Sequence, residues 1–488
     1  MKCRILYFVL ILGITSLLVA CKPKEDLPIK DDNEKKLEVI SLSKQDLSLE
    51  GFASLAFTSN IIMSPDDSRY YHVYTPSDFY RAITDKNSKV IEIMNDLDLG
   101  HLSFSQSERA NSNFFAKSVL PSVHPTLVAS GISRIRIQDR NGSNKNAGLV
   151  IFSNNGSTIK HAGFIIKRVD NLIIRNLKFL ELWEWDEATK GDYDKNDWDY
   201  ITLEECNGVW IDHCTFGKSY DGLIDAKEGC QNITISWCKF ITEPDFVRIQ
   251  MEYLEQHIDN YPMYRFFRDQ GISLEDMIKI AIPQKKGHLI GSGELNDKNN
   301  IQTLTIHNCY YEDLQDRLTR LRGGDAHLYN IYQNCNNSYE AKKRRDTYQI
   351  ASSNYKFGIT SQSIISTENG AILLENAILE GVIDSVRNNQ KSGYPSQYTG
   401  KIKVLNSIYK LGNVCFRGGS DELNSPFKSK QVSMLSFSWN NFTTLPYQYQ
   451  IFPLDDLKVL LNDAQYGCGS GVIQWIAREW LKITYKGE

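Results

Sequence analysis

Four aspartates stand in two pairs. Asp197 and Asp199 flank Trp198, and Asp221 and Asp225 flank Gly222-Leu223-Ile224 one repeat later. Residues i and i+2 of a strand share a face, as do i and i+4, so the two pairs can converge on one patch of sheet. Four convergent carboxylates with no His or Cys among them make a hard-oxygen site of the kind that suits Ca²⁺. The same residues also fit a solvated acidic loop, since Asp192 and Asp194 lie close by. An EF-hand loop beginning at Asp192 is excluded: Asp197 stands where that loop needs Gly, and Leu203 where it needs Glu.

A basic cluster follows the acidic one. Lys227 lies two residues beyond Asp225 and so shares its face. Lys285 and Lys286 come next, then Arg317, Arg320 and Arg322 on the following repeat. Each residue alone fits a solvated surface. Their placement on successive repeats beside the aspartates points to a polyanionic substrate bearing carboxylates.

These residues need a scaffold that stacks short strands. Val209-Trp-Ile-Asp-His-Cys214, Ile233-Thr-Ile-Ser-Trp-Cys238 and Leu304-Thr-Ile-His-Asn-Cys309 align without gaps, and Leu172-Ile-Ile-Arg-Asn-Leu177 precedes them. The first two start 24 residues apart, and Leu304 to Leu328 is again 24. Short, β-branched, alternating segments repeating at that interval, with no helix between them, predict a parallel β-helix. Stacking at ~4.8 Å places Cys214 over Cys238 and Cys206 over Cys230. That spacing fits either a disulfide, whose Cα atoms lie ~4.4–6.8 Å apart, or an interior ladder of free thiols. No C-x-x-C pair supports a zinc or redox site.

Residues 242–284 interrupt the repeat. Phe246, Met251, Leu254, Ile258, Phe266, Leu274, Met277 and Ile278 recur there at partly helical spacing. A helical insertion is expected, serving either as a lid beside the cleft or as a surface elaboration. After Ser407 the strand signal fades, and the tail with Trp439, Tyr447 and Tyr449 is expected to fold back on the solenoid.

The chain has 488 residues, 41% hydrophobic and 23% charged, which excludes wholesale disorder. Its 55 basic and 59 acidic residues leave a net charge of −4. Charge therefore gives no support to nucleic-acid binding. The N-terminus, Met-Lys-Cys-Arg followed by an apolar run to Ala20, reads as a secretory signal. It closes on Leu18-Val-Ala-Cys21, which resembles the lipobox of bacterial lipoproteins, so Cys21 is the expected lipidation site. Residues 1–20 are then the signal and 21–46 a charged, flexible tether. Residues 47–488 form the β-helical domain. An exported lipoprotein of a Gram-negative envelope is expected, held at the outer membrane or cell surface by its lipid alone and acting as a monomer.

Trp210-Ile-Asp-His213, Asp221-Gly-Leu-Ile-Asp225, Thr234-Ile-Ser-Trp237, Lys286-Gly-His-Leu-Ile-Gly291 and Arg317-Leu-Thr-Arg-Leu-Arg322 resemble the ordered motifs of family 1 polysaccharide lyases, the pectate and pectin lyases. His124-Pro-Thr-Leu127, Gly148-Leu-Val-Ile-Phe-Ser153 and Tyr447-Gln-Tyr449 continue the match on either side, over roughly residues 50 to 465. The resemblance implies an all-β, right-handed, single-stranded parallel β-helix that cleaves polygalacturonate by β-elimination. It implies that Asp197, Asp199, Asp221 and Asp225 hold Ca²⁺. Lys227, Lys286 and Arg322 would bind substrate, and Arg317 would act as the catalytic base. Thr319 stands where the family usually has Pro, and 242–284 replaces a short turn.

An arginine base must act as the neutral guanidine, although the side chain is ordinarily always protonated. Lys286, Arg320 and Arg322 supply cationic neighbours, and the resemblance therefore implies activity favouring alkaline pH. Two rivals remain. A pectin lyase would take methyl-esterified chains without calcium, but that branch has lost calcium carboxylates that are present here. A non-catalytic pectin-binding surface β-helix would be expected to lack the base or a ligand.

Overall fold

The computed structural model describes residues 46–57, 63–116, 123–140, 148–193, 195–350 and 354–472, with the backbone of Thr484–Tyr485. The signal segment, Cys21 and nearly all of the tether lie outside the described residues.

Strands one repeat apart in sequence pair in parallel, so the chain winds as a solenoid. Val209 lies beside Leu172 and Ile233, and Ile233 beside Leu304, which is the register the aligned segments predict. The next coil departs from it. Leu304 pairs with Ala326, and Leu328 pairs with Ile306, so that coil takes 22 residues where the sequence suggested 24. The cause is its turn: Gly323 and Gly324 adopt φ of 66° and 68°, and a Cβ on Gly324 would meet the Gln302 carbonyl at 2.3 Å. Only glycine permits so tight a return.

Two long sheets result. One has eight strands, from Ser133–Gln138 to Asp384–Arg387; the other has seventeen. Inside, like stacks on like. Phe179, Phe216, Phe240 and Tyr311 form a ring column with centroids 5.0, 5.3 and 4.4 Å apart. Seven of the described cysteines are buried free thiols. Cys214, Cys238 and Cys309 thus act as a ladder of small apolar side chains, and Cys206 with Cys230 does the same at a turn. A corner of the large sheet is turned by asparagines in the left-handed region, which Asn tolerates better than most residues. Asn308, Asn330, Asn376 and Asn406 link there by side-chain hydrogen bonds of 2.7, 2.8 and 3.0 Å.

The insertion is helical, as its spacing suggests: Pro244–Gln256, Pro262–Asp269 and Leu274–Ala281. Its apolar face is built into the protein, with Met251, Leu254, Tyr264, Phe267 and Met277 buried in the main core. Asp276 accepts hydrogen bonds from Arg344 (2.9 Å) and from Tyr348, fastening the last helix to Asn336–Asp346. That second helix breaks the expectation of strands with no helix between them. The tail folds back as expected: the Tyr447 hydroxyl lies 3.0 Å from Thr305 Oγ1, and that of Tyr449 donates to Glu375 (2.9 Å). No helix of the described residues is long and apolar enough to cross a membrane.

Candidate active site

The eight-stranded sheet sets the geometry. Leu203, Ala226, Ile290 and Leu321 pair in succession along Ile201–Glu204, Ile224–Lys227, Leu289–Ile290 and Thr319–Arg322, and all four are buried. Alternate residues must then face outward. Thr202, Asp225, Leu289 and Arg320 make one row, and Glu204, Lys227 and Arg322 the next. Thr319 begins a regular strand opposite Ile364, so the family's proline is not needed for this register.

The aspartates converge. Carboxylate oxygens of Asp197, Asp199 and Asp221 lie within 4.8 Å of one another. Asp199 is buried and accepts from Gly222 N and Thr202 Oγ1, each at 2.8 Å. Asp225 accepts from Leu289 N at 2.9 Å. A Cβ on Gly222 would lie 2.7 Å from an Asp225 oxygen and 2.9 Å from one of Asp199, so glycine leaves the room in which these two carboxylates approach. Burial, then the charge of Asp221, pushes Asp199 up from the usual carboxylate range; burial, then Asp199, pushes Asp225 well up. Lys227 opposes both shifts. All ligands are hard oxygens, and two of them are destabilised as anions by burial and by one another. The set fits a calcium ion.

Cations line the same face. Lys286 Nζ sits 2.5 Å from Asp221 Oδ1, and Lys227 Nζ 3.9 Å from Asp225 Oδ2. Burial alone would lower the Lys227 ammonium, but the four aspartates outweigh it and hold it above its ordinary value. On the next coil Arg317 takes φ of 60°, and its carbonyl accepts from His288 N at 2.8 Å. The Nε atoms of Arg317, Arg320 and Arg322 are buried without a hydrogen-bond partner in the protein. Unpartnered donors of this kind call for an explanation, and an anionic ligand supplies one. Burial, then Arg317 and Arg322, holds Arg320 down to about 10. Arg322 donates to the Ser292 carbonyl.

The sequence-derived residues therefore gather on one face, with Asp225 joined to the other carboxylates through Asp199. Thr202, Gln284 and Arg387 join them without any sequence signal of their own. Arg387 becomes legible only with the register, which puts Ile365 between it and Arg320 in one row.

Residues 134–250 and 280–449 match the pectate lyase family, and the gap between them falls within the helical insertion. Pectate lyase B of Paenibacillus amylolyticus is 47% identical over 348 residues, covering 69% of this chain and 87% of its own length. A pectate trisaccharide-lyase of Thermotoga maritima is 29% identical over 181 residues, 36% of this chain and 37% of that one. The solved structure of a pectate lyase from Paenibacillus sp. 0602 superposes with a TM-score of 0.85 at 43% identity, covering 91% of this chain and all of its own. Fold and matches define a polysaccharide lyase on a right-handed parallel β-helix. Within that class, the chain belongs to the pectate lyase family.

Proposed function

We propose that the protein is a calcium-dependent pectate lyase, cleaving α-1,4-linked polygalacturonate by β-elimination to 4,5-unsaturated oligogalacturonides. One observation carries the reading: three carboxylates within 4.8 Å of one another share a sheet face with Lys227, Lys286 and the arginine coil. Asp197, Asp199, Asp221 and Asp225 would hold Ca²⁺, which when bound would neutralise the uronate carboxylate where charge develops. Lys227, Lys286 and Arg322 orient that carboxylate as point charges and a fork. Arg317, as the neutral guanidine, takes the proton from C5, the electron pair of that bond forms the C4–C5 double bond, and the glycosidic oxygen leaves C4 and takes a proton from solvent. The protein forms no covalent bond to the sugar, and no water attacks.

The test is unsaturated product, followed by ultraviolet absorbance on polygalacturonate with calcium and with excess chelator. Product is expected only with calcium. An undiminished rate in chelator would point to a lyase of methyl-esterified pectin, and binding without product to a non-catalytic pectin-binding protein.

The N-terminal sequence supports a second part of the reading: export as a monomeric lipoprotein anchored through Cys21 at the outer membrane or cell surface. Cys21→Ser should lose a metabolic fatty-acid label. Label retained by that variant would refute the anchor.

A further inference from the structure

The insertion ends on Gln284, a buried amide 3% exposed. Its Nε2 is within hydrogen-bond distance of three acceptors: Ser219 Oγ (2.9 Å), the Asp221 carbonyl (2.9 Å) and the Lys286 carbonyl (2.8 Å). Its Oε1 accepts from Ser219 N at 3.0 Å. An amide has two donor hydrogens, so all are committed here. The main chain of the same residue holds the next coil: Gln284 N donates to the Asp313 carbonyl (3.0 Å), and its carbonyl accepts from Gln315 N (2.9 Å). Gln315 leads directly into Asp316 and Arg317. One residue thus ties three coils, those carrying Asp221, Lys286 and Arg317.

Its neighbours explain why the tie is firm. Pro283 precedes it, and the Pro283 carbonyl accepts from the buried Lys218 ammonium at 2.8 Å. Ser219 Oγ, bonded to the amide, donates onward to the Gly222 carbonyl at 2.7 Å. Gly222 N in turn donates to Asp199. The amide is therefore linked to both carboxylate pairs without touching a carboxylate or the substrate.

We infer that Gln284 is a positioning residue: it fixes the spacing between the calcium carboxylates, Lys286 and the Arg317 turn, and it gives the helical insertion a direct part in the lyase site. This rests on the proposed calcium-dependent reaction. Errors of about 1 Å in such spacing can cost ~10²-fold in rate.

The experiment compares full-length wild type, Gln284→Met, Ser219→Ala and Asn376→Ala. Met keeps the length of the side chain and removes every polar contact. Asn376 is a fully buried amide of the asparagine corner, so its variant controls for general destabilisation. Calcium affinity is measured without substrate by calorimetry, alongside kcat, KM and the melting temperature. Gln284→Met should weaken calcium binding severalfold and lower kcat by roughly 10–100-fold, with KM changing less. Asn376→Ala should lose melting temperature while keeping both calcium affinity and kcat. Ser219→Ala, which removes a single hydroxyl, should shift calcium affinity in the same direction by less, and it keeps the test open should Gln284→Met fail to fold. A Gln284→Met or Ser219→Ala protein with wild-type calcium affinity and kcat would overturn the inference. A wild type indifferent to calcium would remove the underlying reading instead, so the two failures are distinguishable.

Discussion

The two long sheets are wound from the same coils, yet they treat buried carboxylates in opposite ways. On the large sheet a buried carboxylate is paired within the protein. Asp212 and Arg175 are each at most 1% exposed and pair at 2.9 Å. Ser236 donates to Asp212 at 2.6 Å, and Trp210 Nε1 donates to Ser236 at 2.9 Å. His213 completes the group at 2.8 Å from Asp212. Against burial, His213 and Arg175 hold the Asp212 carboxyl below its ordinary range. On the eight-stranded sheet charge is left crowded, with two carboxylates pushed up by burial and by one another and the Nε atoms of Arg317 and Arg320 buried without a hydrogen-bond partner. The difference marks which surface was built to receive charge. One sheet holds the coils together; the other leaves charge for a ligand to satisfy.

The sharpest way to break this comparison is at Arg317. Arg317→Ala should lower kcat by about 10²–10⁴-fold, the usual worth of a proton-transfer group, while melting temperature and calcium affinity hold. Arg317→Lys should also be poor, because lysine lacks the planar fork. A variant retaining more than a tenth of the wild-type rate would show that the base lies elsewhere. On the large sheet, Asp212→Ala should behave in reverse. Removing one partner of a buried ion pair costs about 3–5 kcal/mol, read by urea unfolding, whereas kcat per folded molecule should stay near wild type. A large fall in kcat with stability intact would mean that the large sheet is not merely structural.

Asp225→Asn should give a smaller and mixed result. It removes one charge from a crowded set, so calcium affinity should fall roughly tenfold and excess calcium should recover part of the rate. Without calcium, the variant should melt higher than wild type, because Asp199 loses a like-charged neighbour. Identical melting curves in chelator would contradict the picture of a crowded, self-repelling site.

How far the sequence reached follows the same division. The register of Val209, Ile233 and Leu304 was legible because alternating β-branched residues have one way to face a core. It failed at Leu328, where two glycines in the left-handed region shorten the turn by a tight return that an alignment of strands does not see. Asn336–Asp346 left no helical signal because it buries only Ser338 and Ala341 and carries no apolar stripe. The aspartates and Lys227 were legible because charge at strand spacing is rare enough to register. Gln284 was not, because an amide has no signature apart from the three coils that the fold brings to it.

The smallest expected effect concerns pH, and it sets the two kinds of region against each other. His161, 3% exposed, is held between Asp98 at 2.8 Å and Glu181 at 2.9 Å. Burial would lower its imidazole, but hydrogen bonds to both carboxylates outweigh burial and raise it above its ordinary value. Burial would likewise raise Asp98 and Glu181, yet His161 helps to hold both below theirs. A raised histidine contributes stability that is complete below its unfolded value, ~6.5, and is lost as pH climbs through the folded value. The two depressed carboxylates contribute above their unfolded values, ~4, and lose that contribution as pH falls through the folded ones. The triad is therefore at full strength between about pH 4 and 6.5. The resemblance to the pectate lyases implies activity favouring alkaline pH, so activity should still rise where this contribution to stability has faded. Urea midpoints measured from neutral to alkaline pH should decline in wild type and decline less in His161→Gln, which keeps a neutral donor and acceptor in the gap. Parallel midpoint curves for the two proteins would show that His161 titrates alike in the folded and unfolded chains, and the opposition between stability and activity would have to come from other groups.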